Sequence, residues 1–175
     1  RAYTDMKGTT TQSGNPNGHI VRLKEGTGAA QATAFTWDVY LFGAEASADA
    51  GKVNLSNLTA DQDFSSPDGL AFSPYTGICW IQTDDGAYTD VTNCMMLAAI
   101  PGQVGDGGKV TLNYAQASGA ALAVDTFVGK KAAPDTLKRF LVGPVGSEIT
   151  GIAETPDGKT MFVNIQHPGE NTAQA

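Results

Sequence analysis

The sequence contains little charge, few aromatic residues and almost no cysteine. Of its 175 residues, 17% are charged and 8% are aromatic, and only two are cysteines. The spacing of these cysteines fits no zinc site. No apolar run approaches the roughly 20 residues of a membrane-spanning helix, and no signal-peptide pattern is present. We therefore expect one region of about domain size, residues 1–175.

Basic residues are also scarce. The chain has 11 Lys and Arg against 18 Asp and Glu, a formal net charge of −7 and a pI of about 4.6. A nucleic-acid-binding protein needs a basic surface, so we expect no nucleic acid partner. The nucleophile motif Gly-x-Ser-x-Gly and the zinc motif His-Glu-x-x-His are both missing. The glycine-rich segment 105–108 lacks the Lys-Ser/Thr of a phosphate loop, and we expect a hairpin tip there.

Glycine and alternating apolar residues are abundant, and they indicate an all-β chain. The 21 glycines punctuate short segments in which apolar and polar residues alternate, and no long helical periodicity is present. These segments predict antiparallel hairpins at about 18–42, 69–100 and 137–165. Met95 and Met96 fall within one apolar segment and are expected to fill the core.

A repeat relates two of these hairpins. Residues 69–80 align without a gap to residues 151–162, which places Gly69 on Gly151 and Trp80 on Phe162. A repeat of β-hairpins is typical of a β-propeller. The sequence thus predicts a β-propeller.

Each copy of the repeat carries a carboxylate just before its first strand, Asp68 in one and Glu148 in the other. Two interpretations stay open for each. In the first, both carboxylates face the central channel and bind a metal. In the second, Asp68 is the turn residue of Pro-Asp-Gly and Glu148 is a solvated loop residue. Asp157, in the second Pro-Asp-Gly, is expected to be a turn residue only.

The two cysteines, Cys79 and Cys94, lie on neighbouring predicted strands. A disulfide forms if the two Cα atoms approach within about 7 Å. The alternative is a pair of buried thiols.

Several segments resemble the C-terminal part of the PhoX alkaline phosphatase family. They are residues 18–22, 35–38, 66–70, 80–84, 139–144, 148–151 and 162–170. The last of these ends in His167-Pro168-Gly169-Glu170 and is the most specific. The resemblance implies a β-propeller, export by the twin-arginine route and hydrolysis of phosphomonoesters at a cluster of iron and calcium ions.

The family resemblance also assigns residues and partners. It makes Asp68 a metal ligand, and the repeat, more than the family, adds Glu148. Two interpretations stay open for His167, a contact to phosphate or metal and a loop residue before Pro168 that is anchored by hydrogen bonds. Several ligands of the family lie in upstream motifs that this sequence does not contain. The resemblance therefore implies a partial propeller of about two to three blades. Since the chain opens on Arg1, we expect a processed product or a fragment. Other blades or another chain should then cover its sheet edges.

Three functions follow as alternatives. The chain is the C-terminal part of a PhoX-like phosphatase, with a periplasmic or extracellular location. Alternatively, it belongs to another calcium-dependent propeller hydrolase, such as a lactonase of the SMP-30 type, which also carries Pro-Asp-Gly-Leu before a strand. The third alternative is a propeller fragment with a structural or assembly role.

Overall fold

Alternating apolar residues and glycine-bounded turns produce a chain built from β-strands. The computed structural model describes residues 17–27, 31–84, 93–115 and 121–169. Within these ranges the strands are β1 (His19–Glu25), β2 (Phe35–Phe42), β3 (Pro67–Phe72), β4 (Cys79–Thr83), β5 (Met95–Ala99), β6 (Lys109–Ala115), β7 (Ala121–Phe127), β8 (Leu137–Val142), β9 (Glu148–Glu154) and β10 (Met161–Gln166). The all-β expectation is confirmed, and the described residues include no helix that could cross a membrane.

Antiparallel pairing joins the described strands into small sheets. Three are two-stranded hairpins, β1-β2, β6-β7 and β9-β10, and the fourth is a four-stranded sheet in the order β3-β4-β5-β8. Strand β8 is an edge strand of this sheet and pairs with β5, although β6 and β7 lie between them in sequence. It does not pair with β9. The long predicted hairpin at 137–165 is therefore divided between two sheets.

Strands β4 and β5, at the centre of the four-stranded sheet, are covered on both faces. One face, which carries Ile81 and Leu97, packs against the β1-β2 hairpin in a set of residues that we call the central cluster. The other face carries Trp80 and Met96 and packs against Ile149 of β9 in what we call the hairpin cluster. All five residues of β4 are buried as a result, and the two methionines fill the core as expected.

The connection from β2 to β3 contributes to the core although its composition is polar. Val53, Leu58 and Phe64 from this segment are buried in the central cluster. Gln62, also buried, donates a hydrogen bond from Nε2 to the carbonyl oxygen of Leu137 at 3.0 Å. The segment thus ties itself to β8 through a satisfied buried amide.

The predicted hairpin tip at residues 105–108 is wrong. The glycines there form a turn between β5 and β6, which belong to different sheets. The amide of Gly107 donates to the carbonyl oxygen of Val128, and the amide of Val128 donates to the carbonyl oxygen of Gly108. These bonds place the turn beside the end of the β6-β7 hairpin.

Of the two alternatives left open for the cysteines, the pair of buried thiols is confirmed. Cys79 and Cys94 are not joined, and both are buried. In the antiparallel pairing of β4 with β5, Cys79 lies opposite Ala99. Cys94 is five residues from Ala99, or about 17 Å along an extended strand. A disulfide needs Cα atoms within about 7 Å.

Candidate metal centre

The β3-β4 and β9-β10 hairpins repeat one register at a spacing of 82 residues. Leu70 lies opposite Ile81 in the first hairpin, and Ile152 lies opposite Val163 in the second. Equivalent positions therefore occur at the open end of each hairpin, where its first strand begins and its second strand ends. The predicted repeat corresponds to a repeated structure.

Each hairpin is interrupted by a bulge near this open end. Asp68 is skipped in the pairing of β3 with β4, because Pro67 lies opposite Thr83 and Gly69 lies opposite Gln82. Gly151 is skipped in the same way in β9. A bulge redirects the side chains beside it, and bulges are frequent next to active sites.

Three potential ligands converge where the two open ends meet. Asp84 follows β4, Glu148 is the first residue of β9, and His167 follows β10. One donor atom from each lies within 4.8 Å of the other two. Glu148 is buried, His167 is half-buried and Asp84 is exposed, so the group opens to solvent on the Asp84 side.

Hydrogen bonds and backbone conformation hold these residues in place. The Nε2 atom of His167 lies 3.4 Å from Oε2 of Glu148. The amide of Asp84 donates to the carbonyl of Ser66 at 3.1 Å. Ser66 and His167 both adopt positive φ, 49° and 38°, and each precedes a proline. Such backbone conformations are uncommon outside glycine and often occur at functional sites.

The electrostatics of the site centre on Glu148. Burial is the main cause that raises the pKa of its carboxyl group above the ordinary value, and the negative charge of Asp84 adds to the effect. The hydrogen bond from His167 acts in the opposite direction, and the charge of Asp68 again raises the pKa. Three carboxylates therefore act on one region, and their mutual repulsion disfavours full ionisation without a cation.

The donor set fits a metal ion. Ca²⁺ takes carboxylate oxygens at about 2.3–2.6 Å, so donors separated by less than about 5 Å can share one ion. The 4.8 Å limit on the three donor atoms meets this condition. Imidazole is a common ligand of iron and a poor one for calcium. The mixed set of two carboxylates and one histidine is thus compatible with either ion.

The structure brings together two of the three sequence-predicted site residues, Glu148 and His167. Asp68 is exposed on the bulge of β3, outside the group of three, although its charge reaches Glu148. Asp84 is the residue that sequence reasoning did not assign. A signal was available, because a hairpin that places Asp68 at the start of its first strand places Asp84 at the end of its second.

Asp157 is a turn residue, as the sequence indicates. Its Oδ1 atom accepts hydrogen bonds from Thr155 Oγ1 at 2.5 Å and from the amide of Lys159 at 3.2 Å. The side chain is exposed and lies in the turn between β9 and β10. It is therefore a matched control for the Pro-Asp-Gly aspartate on the other hairpin.

Carboxylates and an imidazole gathered at the ends of packed hairpins define a candidate metal-binding protein of the all-β class. The family described as alkaline phosphatase PhoX matches residues 2–169. The chain belongs to this family, and the resemblance found in the sequence is confirmed.

One solved structure extends the comparison to three dimensions. It is titled Pseudomonas fluorescens PhoX in complex with vanadate, a transition state analogue, and is 33% identical to this chain with a TM-score of 0.64. The match covers 90% of this chain and 23% of that one, so the chain corresponds to less than a quarter of the solved protein. No curated protein matches the chain.

Proposed function

We propose that this chain is the C-terminal part of a metal-dependent phosphomonoesterase of the PhoX type, and that it supplies part of the metal site. The observation that carries the proposal is the convergence of Asp84, Glu148 and His167 at the meeting point of two repeated hairpins. Family membership favours this function over the lactonase alternative, whose Pro-Asp-Gly-Leu segment is shared, and over a purely structural role.

Calcium and iron are the proposed ions, and when bound they polarise the phosphoryl oxygens and neutralise charge that develops during hydrolysis. Glu148 and Asp84 would hold the ion through carboxylate oxygens, with Asp68 as a further ligand on the exposed side. His167 holds Glu148 through Nε2. We propose that His167 also contacts a phosphate oxygen of the substrate. A phosphomonoester is the proposed substrate, by analogy with the vanadate complex of the related protein.

The proposed architecture is a partial propeller of two to three blades. The sheet β3-β4-β5-β8 has the four antiparallel strands of a blade. The β9-β10 hairpin corresponds to the first two strands of the next blade. In the first blade β5 pairs with the edge of β4. Among the described strands, none pairs with the corresponding edge of β10, and the side chain of Phe162 on β10 is 62% exposed. We propose that segments absent from this sequence, or another chain, cover β10 and contribute further ligands.

The chain alone should therefore bind a cation without turning over substrate efficiently. Hydrolysis is a property of the assembled protein, for which we propose a periplasmic or extracellular location. Fractionation of cells that express the full-length protein, with a cytoplasmic marker enzyme as the control, tests the location.

The function is tested by comparing Asp68→Asn with Asp157→Asn in the full-length protein that contains this sequence. Both substitutions remove one carboxylate from a Pro-Asp-Gly segment, and only the first alters the proposed site. Asp68→Asn should lose bound metal and activity on p-nitrophenyl phosphate with an unchanged circular dichroism spectrum. Asp157→Asn should keep both. Equal metal content and activity in the two variants would show that Asp68 is a turn residue only.

A further inference from the structure

Gln82 forms a hydrogen bond that crosses from one hairpin to the other. It lies on β4 and is buried, with 4% of its surface exposed. Its Nε2 atom donates to the carbonyl oxygen of Gly151 on β9 at 2.8 Å. Because a buried amide must satisfy its polar atoms, this bond constrains the distance between the two strands.

The same side chain contacts both bulges. On its own hairpin Gln82 lies opposite Gly69, which follows the bulged residue Asp68. A Cβ atom at Gly69 would approach Oε1 of Gln82 to 2.8 Å, so the absence of a side chain there makes room for the amide. On the other hairpin its acceptor, Gly151, is itself the bulged residue.

The ligands on each hairpin are close in sequence to the two ends of this contact. Asp84 is two residues after Gln82 on the same extended segment, and Glu148 is three residues before Gly151. Two further side-chain bonds between these hairpins involve Glu154, which accepts from Ser73 Oγ at 2.8 Å and from Trp80 Nε1 at 3.3 Å. Glu154 ends β9, at the opposite end of the strand from Glu148.

We propose that Gln82 is a positioning residue that fixes the separation between the carboxylates of the two hairpins and thereby sets the affinity of the site for a divalent cation. The inference rests on the proposed function. Ligand distances to a cation vary by only a few tenths of an ångström. A shift of β9 against β4 would therefore remove Glu148 from the reach of an ion held by Asp84.

The test compares Gln82→Met with Glu154→Met in the 175-residue chain. Each substitution keeps a similar volume and removes one inter-hairpin hydrogen-bonding group, near the ligands in the first case and far from them in the second. Affinity for Ca²⁺ alone is measured by isothermal titration calorimetry, and stability by urea unfolding in EDTA. Both variants should lower the urea midpoint, whereas only Gln82→Met should weaken Ca²⁺ binding, by about 10–100-fold, as expected for loss of a group that orients a ligand.

Gln82→Leu serves as a second variant in case Gln82→Met does not fold. It removes the donor to the Gly151 carbonyl without adding a charge, and it should weaken Ca²⁺ binding to a similar degree. Ca²⁺ affinity within twofold of wild type in a folded Gln82 variant, or an equal loss in Glu154→Met, would overturn the positioning role. A wild-type chain that binds no Ca²⁺ would instead contradict the proposed metal site itself.

Discussion

The imidazole of His167 and the carboxylate of Glu148 face each other at 3.4 Å, although they lie at opposite ends of the β9-β10 hairpin in sequence. The hairpin brings them together because its open end pairs Glu148 with Gln166. His167 then turns inward through an uncommon positive φ. This contact makes the second hairpin responsible for two of the three converging ligands.

Glu148→Gln should make the metal-free chain increasingly more stable than wild type as the pH rises. The pKa of Glu148 is raised in the folded chain, mainly by burial. The neutral acid therefore contributes stability that is complete below the ordinary pKa of 4.5 and is lost as the pH rises through the folded value. In EDTA, urea midpoints measured from pH 4 to 8 should fall for wild type relative to Glu148→Gln.

Added Ca²⁺ should reverse the order of stability of wild type and Glu148→Gln. A cation that binds only the folded chain stabilises it by RT ln(1 + c/Kd), where c is the free Ca²⁺ concentration, and Glu148→Gln lacks the charged ligand, so its Kd is higher. At pH 8 with millimolar Ca²⁺, wild type should therefore have the higher urea midpoint. For the experiment in EDTA, urea midpoints of wild type and Glu148→Gln that change in parallel with pH would contradict the raised pKa of Glu148.

Asp84→Asn should weaken cation binding although sequence reasoning did not assign this residue. The amide keeps the size of the side chain and removes its charge, so a neutral amide oxygen replaces one of the carboxylate ligands. We expect Ca²⁺ affinity of the chain to fall by at least about 10-fold, measured by calorimetry. Asp49→Asn is the control, since Asp49 is exposed and its carboxylate bonds locally, to the amide of Gly51 at 2.7 Å and to Lys52 at 3.9 Å. Equal affinities in both variants would exclude Asp84 as a ligand.

Gly69→Ala and Gly151→Ala should each destabilise the chain by about 1–3 kcal/mol. At both positions an added Cβ would lie 2.8 Å from a side-chain amide atom, of Gln82 and of Asn164 respectively. Gly151 also has φ of +55°. Gly77→Ala separates the two causes, because Gly77 has φ of +73° and no atom within 4 Å of an added Cβ. Gly77→Ala should lower the free energy of unfolding only through backbone strain, by about 1–2 kcal/mol.

Asp38→Asn should destabilise the chain by about 3–5 kcal/mol, because it leaves a largely buried guanidinium without its main partner. Asp38 is fully buried and pairs through both carboxylate oxygens with Arg22, which also contacts Asp106 at 2.9 Å. Urea unfolding measures the loss. The control is Asp125→Asn, which removes an exposed pair with Lys109 and should leave the urea midpoint unchanged.

Local chemistry explains why most strands could be predicted. The hairpins at β1-β2, β3-β4 and β9-β10 carry alternating apolar residues and turn residues within a few positions of one another, and their registers follow from these turns. The β6-β7 hairpin was missed although Val110 and Leu112 alternate with polar residues. Glycines in the preceding segment favour a loop, and the two signals compete over a short stretch.

The candidate site depended on contacts that no local pattern contains. Glu148 and Asp68 were predicted because each stands at the start of a repeated strand. The approach of Asp84 to Glu148 depends on how two separate sheets pack, through side chains such as Trp80 and Ile149. A sequence shows which faces are apolar, but it does not show which buried faces meet. The sequence left the state of the two cysteines open for a related reason, since neighbouring strands do not imply neighbouring residues.

The two thiols lie on opposite sides of the four-stranded sheet, Cys79 in the central cluster and Cys94 in the hairpin cluster. Burial raises the pKa of Cys79 to about 11, so alkylation at neutral pH requires the surrounding layer to open. The chain thus contains a natural reporter for each layer. The relative labelling rates of the two cysteines, read by mass spectrometry, would show whether the second hairpin detaches before the rest of the protein unfolds.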